Sequence, residues 1–253
     1  MSAAPDLADL DRDALEAMAA HGRAVMACEA ALGPGGGVLA AALGGTAPPG
    51  DWQHYPAGDV HDPNSHAQFF YHAHPVGERG RDEHGHFHTF LRARGMPSGV
   101  RPLVLPELAV ALAAAAAPAA PSAPAGEDGE WSHLIAIAMN GSGRATRLFT
   151  TNRWVTGETW YRAADVVTML GRFTLGSVGP APLLNQWIVA MIGLYRPQID
   201  ALVQARDKAM LAWRERRRGK MHVFDDRRLE VTSALDIALE AQLRDIEAAL
   251  AAA

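Results

Sequence analysis

The run HAQFFYHAHPVGERGRDEHGHFHTFLR, residues 66–92, decides how this chain is read. Its two ends, HAQFFYHAH and HGHFHTFLR, are short, aromatic and strand-like, and Arg79-Gly80-Arg81-Asp82-Glu83 between them reads as a turn. Successive side chains of a strand point to opposite faces, so residues two apart share a face. If both ends are extended, one shows His72 and His74 on a common face and the other shows His84, His86 and His88. The pattern predicts a hairpin with five imidazoles crowded at one end. Neutral histidine is the commonest protein ligand for zinc, copper and iron.

Strand positions i and i+2 lie about 6.6 Å apart at Cα, close enough for two imidazoles to grip one ion. A third ligand from the neighbouring strand completes the three-ligand, open arrangement of catalytic metals. His72, His74, His86 and His88 are therefore the candidate ligands of a transition-metal ion (iron, zinc or copper), and His86 is also a candidate catalytic group. His54, His61 and His66, with Asp59 and Asp62, read as a loop able to fold over the site; whether they or His84 join it stays open. The plain alternative is a polar sheet face whose histidines are only hydrogen-bonded. Farther on, Asn152-Arg153-Trp154 follows a strand and either sets Arg153 beside the site as a catalytic group or is an ordinary strand end.

Working outward, residues 5–32 repeat apolar positions at helical spacing (Leu7, Leu10, Leu15, Met18, Val25, Leu32), and Gly33-Pro34-Gly35 stops the helix. Cys28 falls in that helix and reads as a buried structural thiol. Residues 33–50 read as loop or short helix. Trp131–Met139 is an apolar strand, and Asn140-Gly141-Ser142-Gly143 turns it into a second strand near Arg147–Thr151. Leu105–Ala117 has the composition of an Ala-rich helix, followed by a Pro/Ala linker over 118–129. Trp154–Tyr161 is a weaker strand candidate. Beyond residue 163 the periodicity is helical: Ala163–Phe173, Pro182–Tyr195, a helix opened by Pro197 and running to Arg217, and a final helix over Ser233–Leu250. The order predicts a single α+β domain over residues 1–253, with an N-terminal helix, an antiparallel sheet over 52–161 and helices over 163–251.

The composition narrows the function. A net charge of −5 offers no basic face for nucleic acid. Cys28 is the only cysteine, which rules out an internal disulfide and a thiolate metal cage. The opening MSAAPDLADLDRD does not read as a secretory signal, and no apolar stretch reaches the roughly 20 residues of a membrane span. A cytoplasmic protein with a small-molecule substrate, and no nucleic-acid or membrane partner, is the expectation. A homo-oligomer is compatible with it.

Three resemblances sit on these residues. His72-Ala73-His74-Pro75-Val76-Gly77-Glu78, followed by Gly85, resembles the first metal motif of cupins. That likeness implies a metal held by His72, His74 and Glu78, with Glu78 among the catalytic candidates. It covers about fourteen residues, lacks the leading glycine and has no second-motif histidine downstream. His84-Gly85-His86-Phe87-His88-Thr89-Phe90 is similar to the histidine-triad signature, which implies His86 as nucleophile in nucleotidyl transfer, flanked by His84 and His88. Gly85 and Thr89 stand where that signature is apolar. More broadly, DWQHYPAGDVHDPNSHAQFFYHAHP, EHGHFHTFLR and TNRWVTGETWY resemble an uncharacterised bacterial domain-of-unknown-function family, a likeness that implies no particular activity. The expected function is a metal-dependent enzyme of oxygenase or hydrolase type. Its alternatives are a nucleotide hydrolase or transferase using His86, and a non-catalytic metal-binding or sensing protein.

Overall fold

Aromatic and β-branched residues in alternation build the sheet that carries the histidines. The computed structural model describes residues 5–45, 50, 52–73, 83–103, 130–217 and 222–253. Its strands are β1 (Tyr55–His61), β2 (Ala67–His72), β3 (Glu83–Arg92), β4 (Trp131–Asn140), β5 (Ala145–Thr151) and β6 (Val231–Asp236). They lie side by side in chain order as one six-stranded sheet, each antiparallel to its neighbour. The fold is α+β, as the order of elements predicts.

One face of the sheet is apolar and covered by helices. Phe69 and Tyr71 of β2, Phe87 of β3, Ile135 and Ile137 of β4 and Leu148 of β5 are buried in the main core. Against them pack α1 (Arg12–Leu32), α2 (Gly37–Leu43), α4 (Ala163–Leu170), α5 (Pro182–Leu194), α6 (Arg196–Arg216) and α7 (Leu239–Ala252). Phe87 meets Trp187 of α5 with ring centroids 5.7 Å apart. Fully burying side chains of this size stabilises by about 1.5–3 kcal/mol each, which is what holds the helical layer down. Helix α1 begins where Asp11 accepts the Ala14 N–H through its carboxylate and ends at Gly33, whose φ of 97° suits glycine. Cys28 is buried on its inner face, and burial, followed by the neighbouring Glu29 charge, pushes the thiol pKa up. It is a packing residue. Among the described residues no single helix is long and apolar enough to cross a membrane.

Several elements differ from the sequence expectation. Residues 55–61, read as loop, form edge strand β1, whose pairing with β2 is interrupted between Tyr55 and Val60. The final helix starts at Leu239, and Val231–Asp236 is the opposite edge strand, β6. Trp154–Tyr161 adds no strand. Asn152 accepts the Arg153 N–H through its side chain and opens the one-turn helix α3 (Arg153–Thr156), which Gly157 closes in the left-handed conformation. The Leu105–Ala117 helix and the 118–129 linker lie outside the described residues.

Candidate metal centre

The face of the sheet away from the main core carries the histidines, and pairing register decides which of them meet. His72 of β2 stands opposite His86 of β3, and Phe70 stands opposite His88. On the other side of β3, His86 faces Ala138 and His88 faces Ala136 of β4. Two small residues at those positions leave room for imidazoles to lean across the strand. Beyond them come Arg147 and Phe149 of β5. The Phe149 ring closes the row, edge-on to His86 at 5.0 Å. His72, His86 and His88 are all buried and offer ligand atoms that lie within 4.8 Å of one another, so they can hold one metal ion.

Local chemistry fixes this geometry. His72 Nε2 and His86 Nε2 are 2.7 Å apart. Two nitrogens bound to one zinc at about 2.0–2.1 Å in tetrahedral geometry sit about 3.3 Å apart, so the gap needs to open by only about 0.6 Å. His86 Nδ1 is 2.8 Å from Glu83 Oε1, and the second oxygen of Glu83 accepts from Arg147 at 2.8 Å. A carboxylate there draws the Nδ1 proton and leaves the lone pair on Nε2, where an ion would bind. His88 Nδ1 is 3.0 Å from His133 Nε2. Burial, reinforced by the Arg206 charge, pulls the His133 pKa down to about 3, so its ring is neutral at pH 7 and can accept that hydrogen bond. His88 itself is held well below the ordinary histidine range, by burial first and then by His86, His133 and His72. Neutral imidazole is the form that ligates metals.

His84 is where simple alternation fails. Between Glu83 and Gly85 the register of β3 against β4 slips, and His84 is the extra residue of the bulge. The slip turns Glu83 onto the face of His86 and sends His84 to Tyr71, whose hydroxyl is 2.7 Å from His84 Nδ1. Gly85 is required here: a β-carbon would collide with the carbonyl oxygen of His72 and lie 2.6 Å from the Tyr71 hydroxyl. Spacing grouped His84 on the face of His86 and His88, leaving its part in the site open, and put Glu83 in a turn; in the structure Glu83 takes that face and His84 turns to Tyr71.

Behind His133 lies a buried charged group. Glu158 Oε2 accepts the His133 backbone N–H at 2.8 Å, and burial raises the Glu158 pKa to about 7 against the pull of Arg206. Arg206, itself buried, donates to the Tyr161 carbonyl at 2.6 Å and packs over Trp160 at 4.1 Å. Toward solvent, half-exposed Trp52 stands edge-on to His72 at 6.0 Å.

Of the other predicted site residues, His74 and Glu78 lie outside the described residues. Arg153 donates to Asp225 at 2.6 Å and packs over Phe224, so the structure ties it to those groups and not to the histidine cluster. His54 stacks on Phe70 at 3.6 Å and is bonded to Asp59 at 2.9 Å, on strand β1 and the turn before it. His61 and His66 pair with each other at 5.8 Å. Asp62 turns the β1–β2 connection. Burial pushes its pKa up, but backbone N–H groups of Gly176, Asn64 and Ser65 outweigh that and hold it below the usual range. Glu83 and His133 were missed. A lone His133 inside the apolar run WSHLIAIAM was the available signal.

Fold and site define the class: an α+β protein whose six-stranded sheet bears a buried three-histidine cluster able to hold a metal ion. The chain belongs to the family described as Domain of unknown function (DUF6969), which matches residues 19–237 and so takes in every strand and the whole cluster. No curated protein and no solved structure matches it.

Proposed function

We propose that this protein is a histidine-ligated transition-metal enzyme acting on a small molecule. One observation carries the reading: three buried histidines converge within 4.8 Å, and two have Nδ1 engaged by dedicated partners, Glu83 and His133. A neutral imidazole carries one donor and one acceptor nitrogen, so a partner at Nδ1 accounts for only one of the two. Orienting two rings so that both turn Nε2 as the lone-pair atom is what a metal centre needs. Nitrogen ligation suits zinc, iron(II) or copper(II). An ion held there would supply Lewis-acid chemistry of hydrolase type or, with iron or copper, oxygenase chemistry. The three ligands found among the described residues would leave coordination positions for substrate, the arrangement that separates an enzyme from a closed structural or sensing site. The chain's own contribution is to keep His88 neutral, hold the tautomers of His86 and His88, and exclude water with Phe70 and Phe149.

Elemental analysis of protein purified without a histidine tag tests the reading. The expected result is about one equivalent of a transition metal, depleted in both His72→Ala and His86→Ala. Less than about a tenth of an equivalent, with no uptake on reconstitution, would overturn it. The nucleotidyl-transfer reading makes a different prediction, because it needs His86 alone. It wins if His72→Ala keeps its full metal content while His86→Ala abolishes a chelator-resistant nucleotide hydrolysis.

A further inference from the structure

On the helical side of the sheet a cavity of about 220 Å³ lies between α1, α5, the start of α7 and the turn from β4 to β5. Sites for drug-sized ligands run roughly 300–1,000 Å³, so this one suits a smaller occupant. Met191, Ile237 and Leu239 give it an apolar side. Arg144 and Glu240, both largely exposed, mark its mouth, and Glu29 and Tyr195 complete its polar side.

The fold leaves two groups in this lining incomplete. Tyr195, at the joint between α5 and α6, is 1% exposed, yet its hydroxyl has no hydrogen-bond partner among the described residues. Buried hydroxyls are normally partnered, so an orphan marks a place where something else supplies the bond. Burial first, then the charges of Glu240 and Glu29, push the Tyr195 pKa up. Both carboxylates belong to the cavity, which sets the hydroxyl on the cavity side of its ring. The second group is Glu29. One of its oxygens accepts from Trp187 Nε1 at 3.1 Å, which fixes the carboxylate, and no cation among the described residues pairs with it. The other charges in the lining cancel. Arg144 donates to Glu240 at 2.8 Å, and Glu240 also accepts its own backbone N–H at the start of α7, where Ala238 offers no side-chain cap. What remains is one uncompensated negative charge, on Glu29, and one unsatisfied hydroxyl.

We propose that this cavity binds a small primary alkylammonium ion. An ammonium group brings one positive charge and three N–H donors. The second oxygen of Glu29 accepts one of them as a charge-assisted bond, the Tyr195 oxygen accepts another, and the alkyl chain lies against Met191, Ile237 and Leu239. An anion fits poorly, because the one cation in the lining is already paired and Glu29 repels it. A neutral molecule completes the hydroxyl and leaves the Glu29 charge uncompensated. Arg144 at the mouth opposes a second cationic end, so a monoamine fits better than a diamine. No histidine takes part, and the site stands whether or not the metal reading does.

Calorimetric titration of the full chain at pH 7 with n-butylammonium chloride tests the proposal. The neutral and anionic analogues of similar length are 1-butanol and butyrate, all at one ionic strength. Butylammonium should bind with a Kd of about a millimolar or tighter, and either analogue at least about tenfold more weakly. Glu29→Gln should remove the preference for the cation over butanol. Tyr195→Phe should keep that preference and weaken butylammonium binding about fivefold. Circular dichroism confirms that both variants fold. In the unaltered protein, no butylammonium binding, equal binding of butanol, or tighter binding of butyrate would each overturn the proposal, and none of these depends on a variant. A folded Glu29→Gln that keeps the full preference overturns it as well, and an unchanged affinity in folded Tyr195→Phe overturns the role given to the hydroxyl.

Discussion

Replacing Glu83 by glutamine is the sharpest probe of how the centre is built. The carboxylate lies 2.8 Å from His86 Nδ1, is itself mostly buried, and is braced by Arg147 at 2.8 Å. Glutamine keeps an acceptor of the same shape at that distance, so what is lost is the negative charge that makes His86 Nε2 a better donor to an ion. Charge-assisted hydrogen bonds are roughly twice as strong as neutral ones, and losing an outer partner of a ligating histidine costs about 10–100-fold in metal affinity. Since the acceptor survives, Glu83→Gln belongs at the low end, about tenfold or 1.4 kcal/mol, and Glu83→Ala nearer 100-fold. His72→Ala, which removes a ligand outright, should exceed both. Competition titration against a chromophoric chelator at constant pH measures all three, with circular dichroism to confirm folding. If Glu83→Gln binds zinc within about twofold of the unaltered protein while His72→Ala does not, the carboxylate is only bracing Arg147 and its role in tuning His86 is wrong.

Three further outcomes follow from the same geometry. His133→Leu should also weaken metal binding by about 10–100-fold, because His88 loses the group that holds its Nδ1; unchanged affinity would show that His88 keeps its orientation without it. Gly85→Ala should lower the melting temperature and abolish metal uptake together, since the new β-carbon collides with the His72 carbonyl and pries β2 from β3; a variant that melts like the parent would refute that close approach. Glu158, with its pKa at about 7 when folded against an ordinary 4.5, binds its proton more tightly in the native state than in the unfolded chain. Stability should therefore fall as pH rises from about 4.5 to about 7, by about 3 kcal/mol in all, and Glu158→Gln should erase that slope and be the more stable protein at pH 8. Urea denaturation at several pH values reads this directly, and an identical slope in the variant would sink it.

How much of this was legible depended on where each strand sits. Strands β2 to β5 are central, buried on both faces or nearly so, and their aromatic and β-branched runs announce them. The two strands that escaped notice, β1 and β6, are the edges of the sheet. Tyr-Pro-Ala-Gly-Asp-Val-His and Val-Thr-Ser-Ala-Leu-Asp carry the proline, glycine and polar residues that edges tolerate and that hide the alternation. His72, His86 and His88 were recoverable from spacing because period two survives between residues 86 and 88 and across the pairing with β2. His84 and Glu83 were not, because a single bulge reverses the parity of everything before it. His133 comes to His88 from 45 positions away, and only the register of β3 on β4 brings them together.

The three converging histidines lie within seventeen consecutive residues on adjacent strands, and Glu83 lies inside the same stretch. Closing so short a loop costs little chain entropy, so the nucleus of the site is available as soon as β2 and β3 pair. His133 and Arg147 arrive only when β4 and β5 dock. An ion captured by the early pair would therefore be gripped loosely at first and tightly once the sheet is complete, so that its affinity would report how far folding has gone and its presence would steer β2 and β3 into register.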